Sequence, residues 1–363
     1  APYTDSPIFP QKTLIIFDEI QECNKALNTL KYFCESAPQY CIIAAGSLLG
    51  VSLSQDDSFP VGKVEFVQIY PVSFKEFLAA ESHELFDSVE RINKIEPISA
   101  IVFNKLQQVY HKYQISGGMP AAASASLDNL GTLEIEGQLQ KILNAYALDF
   151  AKHSPSKNIP KITAIWKSIP SQLSKENRKF VYKLVRAGAR AREYEDALLW
   201  LEHAGLIARV FENTKPFLPL SAYDDLTAFK IYLSDIGLLR KLAKLPADAV
   251  AGSDLFMEFK GALAENFVLQ SLLADFEVIP RYWASGGKAE IDFLLQYNTD
   301  IIPIEVKSAY QTIGKSLTEY NKTYSPKYRI RYSLNNLKAD DNLINIPIFL
   351  ADWTKKLLLI MKR

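Results

Sequence analysis

The stretch Thr13-Leu14-Ile15-Ile16-Phe17-Asp18-Glu19-Ile20-Gln21 constrains the fold more than any other part of the chain. Four apolar residues run without alternation into two adjacent carboxylates. A continuous apolar run of this kind predicts a strand buried on both faces of a parallel sheet. Open α/β sheets bind their ligands outside the carboxyl ends of the strands, which is where Asp18 and Glu19 would stand. Paired acids there suit nucleotide hydrolysis. One carboxylate holds Mg2+, directly or through water, and the next orients or deprotonates the attacking water. An acidic turn closing a core strand would look the same locally, so both readings stand on this stretch alone.

Ala26–Ser36 repeats apolar residues at helical spacing (Leu27, Leu30, Phe33, Cys34), and Tyr40–Ala45 is a second apolar strand ending in Gly46-Ser47. Strand, helix and strand form a parallel crossover unit. Its geometry brings Ser47 to the same sheet edge as Asp18 and Glu19, either beside a γ-phosphate or as the cap of a following helix. Ser58-Phe59-Pro60-Val61-Gly62-Lys63 opens a shorter strand, Val64–Ile69, and Ser73 and Glu76 are spaced as a capping box for a helix beginning near Pro71. No G-x-x-x-x-G-K-[ST] occurs in the 363 residues, so the phosphate cradle of such a site is expected upstream of Ala1.

A formal net charge of zero gives the whole molecule no electrostatic pull toward nucleic acid or an acidic membrane and leaves that role to local patches. Cys23, Cys34 and Cys41 have no C-x-x-C spacing and predict buried thiols in a reducing compartment rather than disulfides or zinc ligands. No run reaches the length of a membrane span and no signal peptide is recognisable, so the chain is expected to be cytoplasmic, with no membrane partner.

In order, L-I-I-F-D-E-I-Q, the A-G-S strand end, F-P-V-G-K-V, P-V-S-F-K-E-F-L and Ser116-Gly117-Gly118-Met119-Pro120 resemble the AAA-type ATPases of bacteria and archaea whose ATPase core precedes a C-terminal domain of unknown function. The resemblance covers essentially the whole chain. It implies an α/β multidomain protein with a partial P-loop-type parallel sheet, and ATP with Mg2+ as cofactors. In its terms Asp18 and Glu19 look like the Walker B acids and Ser47 like the sensor. Lys63 falls where many relatives carry an arginine after glycine, a basic contact to phosphate. Lysine lacks the bidentate fork of arginine, however, and an exposed strand lysine is the alternative.

Four domains are expected. Residues 1–90 form the C-terminal part of the ATPase core, and 91–150 a helical lid whose apolar residues recur at three- and four-residue steps. Residues 151–225 read as a winged-helix-like domain, three short helices followed by Gly205–Phe211 and Pro216–Leu220. Lys175, Arg178, Lys179, Lys183, Arg186, Arg190 and Arg192 offer it a phosphate-contacting face. The helix that would enter a groove, Glu193–His203, carries Glu193, Glu195, Asp196 and Glu202, which favours a structural or protein-docking role over non-specific DNA contact.

Residues 226–363 hold a second constellation. Glu265 lies on a helix, Lys260–Ala274, and two alternating strands follow, Lys288–Gln296 and Ile301–Ser308. With Asn298 and Thr299 at the centre of a tight turn, Asp292 stands opposite Glu305 and Glu290 opposite Lys307, while Ile291, Phe293, Ile304 and Val306 fill the other face. Directly opposed side chains lie about 5 Å apart, where two carboxylates repel unless a cation sits between them. A helical Glu, then Asp, then Glu-x-Lys resembles the PD-(D/E)XK nucleases. That likeness implies a nuclease-like α/β domain in which Asp292 and Glu305, with Glu265, hold Mg2+ and Lys307 positions water or stabilises the phosphate. A cross-strand salt-bridge cluster is the alternative. Two functions follow: an ATP-driven machine with a nuclease-like effector acting on DNA or RNA, or a regulatory ATPase switch whose C-terminal domain binds a protein partner without cutting.

Overall fold

The computed structural model describes residues 7–46, 62–175, 178–252, 257–287, 289–310 and 314–362. The chain divides into two compact units, residues 1–69 with 198–206, and residues 70–197 with 207–363. It is an α/β multidomain protein.

In the first unit, β1 (Leu14–Phe17) pairs in parallel with β2 (Cys41–Ala44), Leu14 against Cys41 through Phe17 against Ala44, and the helix Asn24–Ser36 makes the crossover. Ile20, Leu27 and Leu30 are its buried centre, with Phe17, Ala26, Ile42, Ala44 and Val64 packed around them. The opposite face is open: Leu14, Ile16 and Ile43 are 51%, 62% and 52% exposed. The expected burial of β1 on both faces is therefore corrected, because among the described residues the crossover helix covers one face only. Val64–Ile69, expected as a strand, is not one: among the described residues this β-rich run meets no partner strand, and Val67 and Ile69 are exposed. The three cysteines, expected to be buried, are free and exposed.

The larger unit takes in the helices Phe74–Glu81 and His83–Glu90, which the sequence grouped with the ATPase core. The predicted capping box is present. Ser73 N–H donates to Glu76 Oε2 at 2.8 Å and Glu76 N–H to Ser73 Oγ at 3.2 Å. Helices Ala100–Ser116, Pro120–Leu127 and Thr132–His153 follow, so the helical periodicity of this region is real. The Gly117-Gly118 break between them is a packing point. Gly117 has a φ of 66°, and the Gly118 N–H donates to the buried Asp235 carboxylate at 2.6 Å. A Cβ on Gly118 would run into the Val72 carbonyl and lie 2.9 Å from Tyr113 Oη. Asp235 also caps the helix Ile236–Leu242 by accepting from Leu238 N–H at 2.8 Å, and burial pushes its carboxyl up to about 6.

One mixed sheet of eight strands organises the rest. Its strands are β3 (Ile207–Asn213), β4 (Asp224–Leu233), β5 (Arg281–Ala284), β6 (Glu290–Tyr297), β7 (Asp300–Val306), β8 (Arg329–Ser333), β9 (Lys338–Asp340) and β10 (Leu343–Pro347), in the order β4-β3-β5-β6-β7-β8-β10-β9. The three short helices expected before β3 are Ile159–Leu173, Tyr182–Val185 and Ala191–His203. Of the two strands expected to close a winged helix, the first is β3 and the second does not form. Pro216–Leu220 is not a strand, and β3 and β4 pair with each other while β3 continues into the large sheet through β5. The sequence marked Gly205–Phe211 as a strand but could not say which sheet it joins.

The helix Met257–Phe276 is the hub of this unit, with every residue from Ala262 to Leu272 buried. A helix buried all round must satisfy its polar side chains internally. Asn266 does so by bonding both ways to the backbone of Leu233, accepting at 2.8 Å and donating at 2.9 Å. Gln270 accepts from Ile236 N–H at 3.2 Å and donates to Tyr113 Oη at 2.9 Å. Glu265, on the same helix, is taken up below.

Candidate functional site

Two clusters of the predicted chemistry can be built up from their residues. The first stands at the carboxyl end of β1. The strand stops at Phe17, Asp18 Oδ1 accepts the Glu19 N–H at 3.0 Å, and Glu19 adopts a left-handed backbone with a φ of 47°. Bulky non-glycine residues seldom take that conformation, and it re-aims the chain so that Ile20 can turn inward. Ile20 N–H donates to Ala45 O at 3.0 Å and Ala45 N–H to Phe17 O at 2.8 Å, which ties the end of β2 to the acids. Both acids are exposed, and Gln21 Nε2 donates to Glu19 Oε2. Their oxygens are hard donors of the kind that Mg2+ accepts. Ser47 lies outside the described residues. Lys63, the expected phosphate contact, pairs instead with Glu35 at 3.4 Å on the surface of the same unit, where such pairs contribute little.

The second cluster stands where β6 and β7 leave their tight turn. Phe293 pairs with Ile304 and Tyr297 with Asp300, so Asn298 and Thr299 form the tight turn on which the expected register was based. Ile291, Phe293, Ile304 and Val306 are buried. Beyond Phe293 the ladder opens, and Asp292 Oδ2 accepts the Val306 N–H at 2.8 Å. Glu305 is 2% exposed, with Lys307 Nζ 3.2 Å from its Oε1. Lys307 does not face Glu290. Its N–H donates to Tyr332 O on β8, and Glu290 is ion-paired to the fully buried Lys230 of β4. Lys230 Nζ also lies 4.9 Å from the ring centre of Tyr282.

Two arginines complete this cluster, and they decide its chemistry. Glu265 is ion-paired to Arg178 and accepts the Tyr232 hydroxyl at 2.9 Å. Glu305 Oε2 lies 3.4 Å from Arg331 Nε. Each guanidinium rests against a glycine. A Cβ on Gly261 would fall 2.7 Å from Arg178 Nη2, and one on Gly314 would fall 2.9 Å from Arg331 Cζ. A side chain at either glycine would push the guanidinium facing it out of its present seat. Among the described residues no group of three or more His, Cys, Asp and Glu side chains is placed to hold a metal ion. Glu265, Asp292 and Glu305 therefore do not fit the expected Mg2+ site, since two of the three carboxylates already carry a fixed countercharge.

Sequence reasoning found the acids but not the arginines. Arg178 and Arg331 were visible only as members of general basic stretches, because their partners lie 87 and 26 residues away along the chain. Gly261 was the available signal: it lies inside a helix, where glycine weakens the helix unless packing needs the space.

The chain matches an AAA domain over residues 2–78, a domain of unknown function (DUF8612) over residues 107–249, and a domain of unknown function (DUF4143) over residues 260–350. The last match contains Glu265, Asp292, Glu305, Lys307 and Arg331 together, and the first contains Asp18 and Glu19. No curated protein matches the chain. Among the described residues no helix is long and apolar enough to cross a membrane.

Proposed function

We propose that this chain joins an AAA-type ATPase domain, responsive to ATP and Mg2+, to a nuclease-like C-terminal domain that engages a partner without cutting nucleic acid. The observation that carries this reading is the pair of arginines built against Gly261 and Gly314, which neutralise Glu265 and Glu305. Buried carboxylates already paired with guanidinium groups would have to shed them before binding a divalent ion, and uncovering a buried charge is strongly unfavourable. In the ATPase domain, Asp18 would hold the ion and Glu19 would orient water, with Ser47 as sensor; the exposed acids at the end of β1 and the AAA match support these roles. A bound nucleotide supplies the hydrolysable phosphate, and the acids of this chain position what attacks it.

The competing reading, a metal-dependent nuclease, draws support from the half-exposed Lys307 beside Glu305 and from the order Glu265, Asp292, Glu305, Lys307. The purified protein is expected to leave single- and double-stranded DNA and RNA intact with Mg2+ or Mn2+ over prolonged incubation. Cleavage that disappears in Lys307→Ala would establish the nuclease reading in its place.

A further inference from the structure

Lys183 on the helix Tyr182–Val185, Arg186 and Arg190 on the turn that follows, and Arg192 on the helix Ala191–His203 are all exposed. No acidic residue occurs from Arg178 to Arg192. Among the described residues none of the four side chains is ion-paired or hydrogen-bonded. In contrast, Arg178, Arg209, Arg240 and Arg281 elsewhere in this unit each hold a carboxylate. The backbone that carries the four cations makes two successive turns. Ala189 N–H bonds to Arg186 O at 3.1 Å and Glu193 N–H to Arg190 O at 3.1 Å, with Gly188 at a φ of 78° between them. The space around Gly188 is open, so the turn projects outward.

We propose that this basic turn is a binding surface for the sugar-phosphate backbone of nucleic acid, contacted without base readout. Three of the four cations are arginines, whose guanidinium forks match phosphate oxygens two at a time. Backbone contact needs no apolar centre, and the turn has none: Leu184, its most exposed large apolar side chain, is 36% exposed. A stable protein interface would be expected to build on such a centre. A membrane surface is disfavoured because Tyr182–Val185 is a single helical turn, too short to lay an amphipathic face into lipid. The groove-entering geometry of a winged helix is not required and is not available, since Tyr194, Ala197, Leu198, Trp200 and Leu201 of the following helix are buried. Glu193 and Asp196 at the start of that helix bound the patch on one side and keep it small.

The test is fluorescence anisotropy of the whole chain with a labelled DNA duplex of random sequence, titrated across salt concentrations. For duplex DNA each neutralised phosphate adds about −0.9 to the slope of log affinity against log salt. The Arg186→Ala/Arg190→Ala/Arg192→Ala variant is therefore expected to flatten the slope by about 2.7 and to bind at least tenfold more weakly at low salt. A variant matched in net charge, Lys94→Ala/Lys141→Ala/Lys157→Ala, is expected to bind as the parent does, and unchanged circular dichroism of both checks their folding. Equal binding by both variants, no binding by the parent, or equal displacement of the duplex by polyglutamate or by anionic phosphatidylserine vesicles would each overturn the proposal. None of the four cations pairs with Glu265 or Glu305, so failure here leaves the reading of that cluster standing.

Discussion

Replacing Arg178 with alanine is expected to destabilise the larger unit by about 3–5 kcal/mol, because the buried Glu265 carboxylate loses its countercharge. Only the Tyr232 hydroxyl would remain of the two partners described, and a neutral donor does not offset a buried charge. The double variant Arg178→Ala/Glu265→Gln is expected to recover most of that loss, since an amide in the carboxylate's place keeps the Tyr232 hydrogen bond and carries no charge. Urea denaturation followed by tryptophan fluorescence measures both. Equal losses in the single and double variants would mean that Arg178 acts through its packing rather than its charge.

The second large effect concerns Phe74, the fully buried residue that opens the capped helix Phe74–Glu81. Its ring meets Tyr113 at 5.6 Å, Tyr110 at 5.7 Å, Phe267 of the hub helix at 6.4 Å and Trp353 at 6.5 Å, all edge-on. Edge-to-face packing of this kind adds to the area that the ring buries. The Phe74→Ala change is expected to cost about 3–5 kcal/mol through the cavity left among these four rings, and to shift the emission of Trp353. A loss below about 1 kcal/mol would show that the site collapses around the missing ring. Nearby, Lys75 N–H donates to Asp352 Oδ2 at 2.8 Å, a second tie between this helix and the C-terminal residues, and burial pushes the Asp352 carboxyl up to about 6.

Local rules served well where local chemistry decides structure. Ser73 and Glu76 announced a capping box, Leu27 and Leu30 announced the inner face of a crossover helix, and a tight turn at Asn298-Thr299 gave the β6–β7 register from Phe293 to Tyr297. They failed where the outcome depends on what the chain meets in space. Leu14, Ile16 and Ile43 look like core residues and lie on an open face, because apolarity records a preference for burial and not its fulfilment. Val64–Ile69 has strand composition but, among the described residues, no neighbouring strand to complete a ladder. Gly205–Phe211 and Pro216–Leu220 read as the closing pair of a small domain, whereas the first supplies β3 of the eight-stranded sheet, paired with β4, and the second is not a strand.

The candidate sites divide in the same way. Asp18 and Glu19 stand at the end of β1 between Phe17 and Ile20, which bond to the end of β2, and that position was legible. At Glu265 and Glu305 the acids were legible and their neutralisation was not. That neutralisation depends on Arg178 reaching the hub helix from a distant segment and on Arg331 standing beside Glu305 in the β7–β8 register. The motif order alone describes a metal site, and the arginines convert it into a set of buried ion pairs.

The measurement that bears most directly on this account is a calorimetric titration of the purified chain with Mn2+, compared between the parent and the Asp292→Ala variant. Arginine-paired carboxylates predict that the two isotherms coincide, with any metal bound at Asp18 and Glu19 common to both. A binding event present in the parent and missing in Asp292→Ala would show that the C-terminal acids hold a metal after all and would contradict the non-cutting reading.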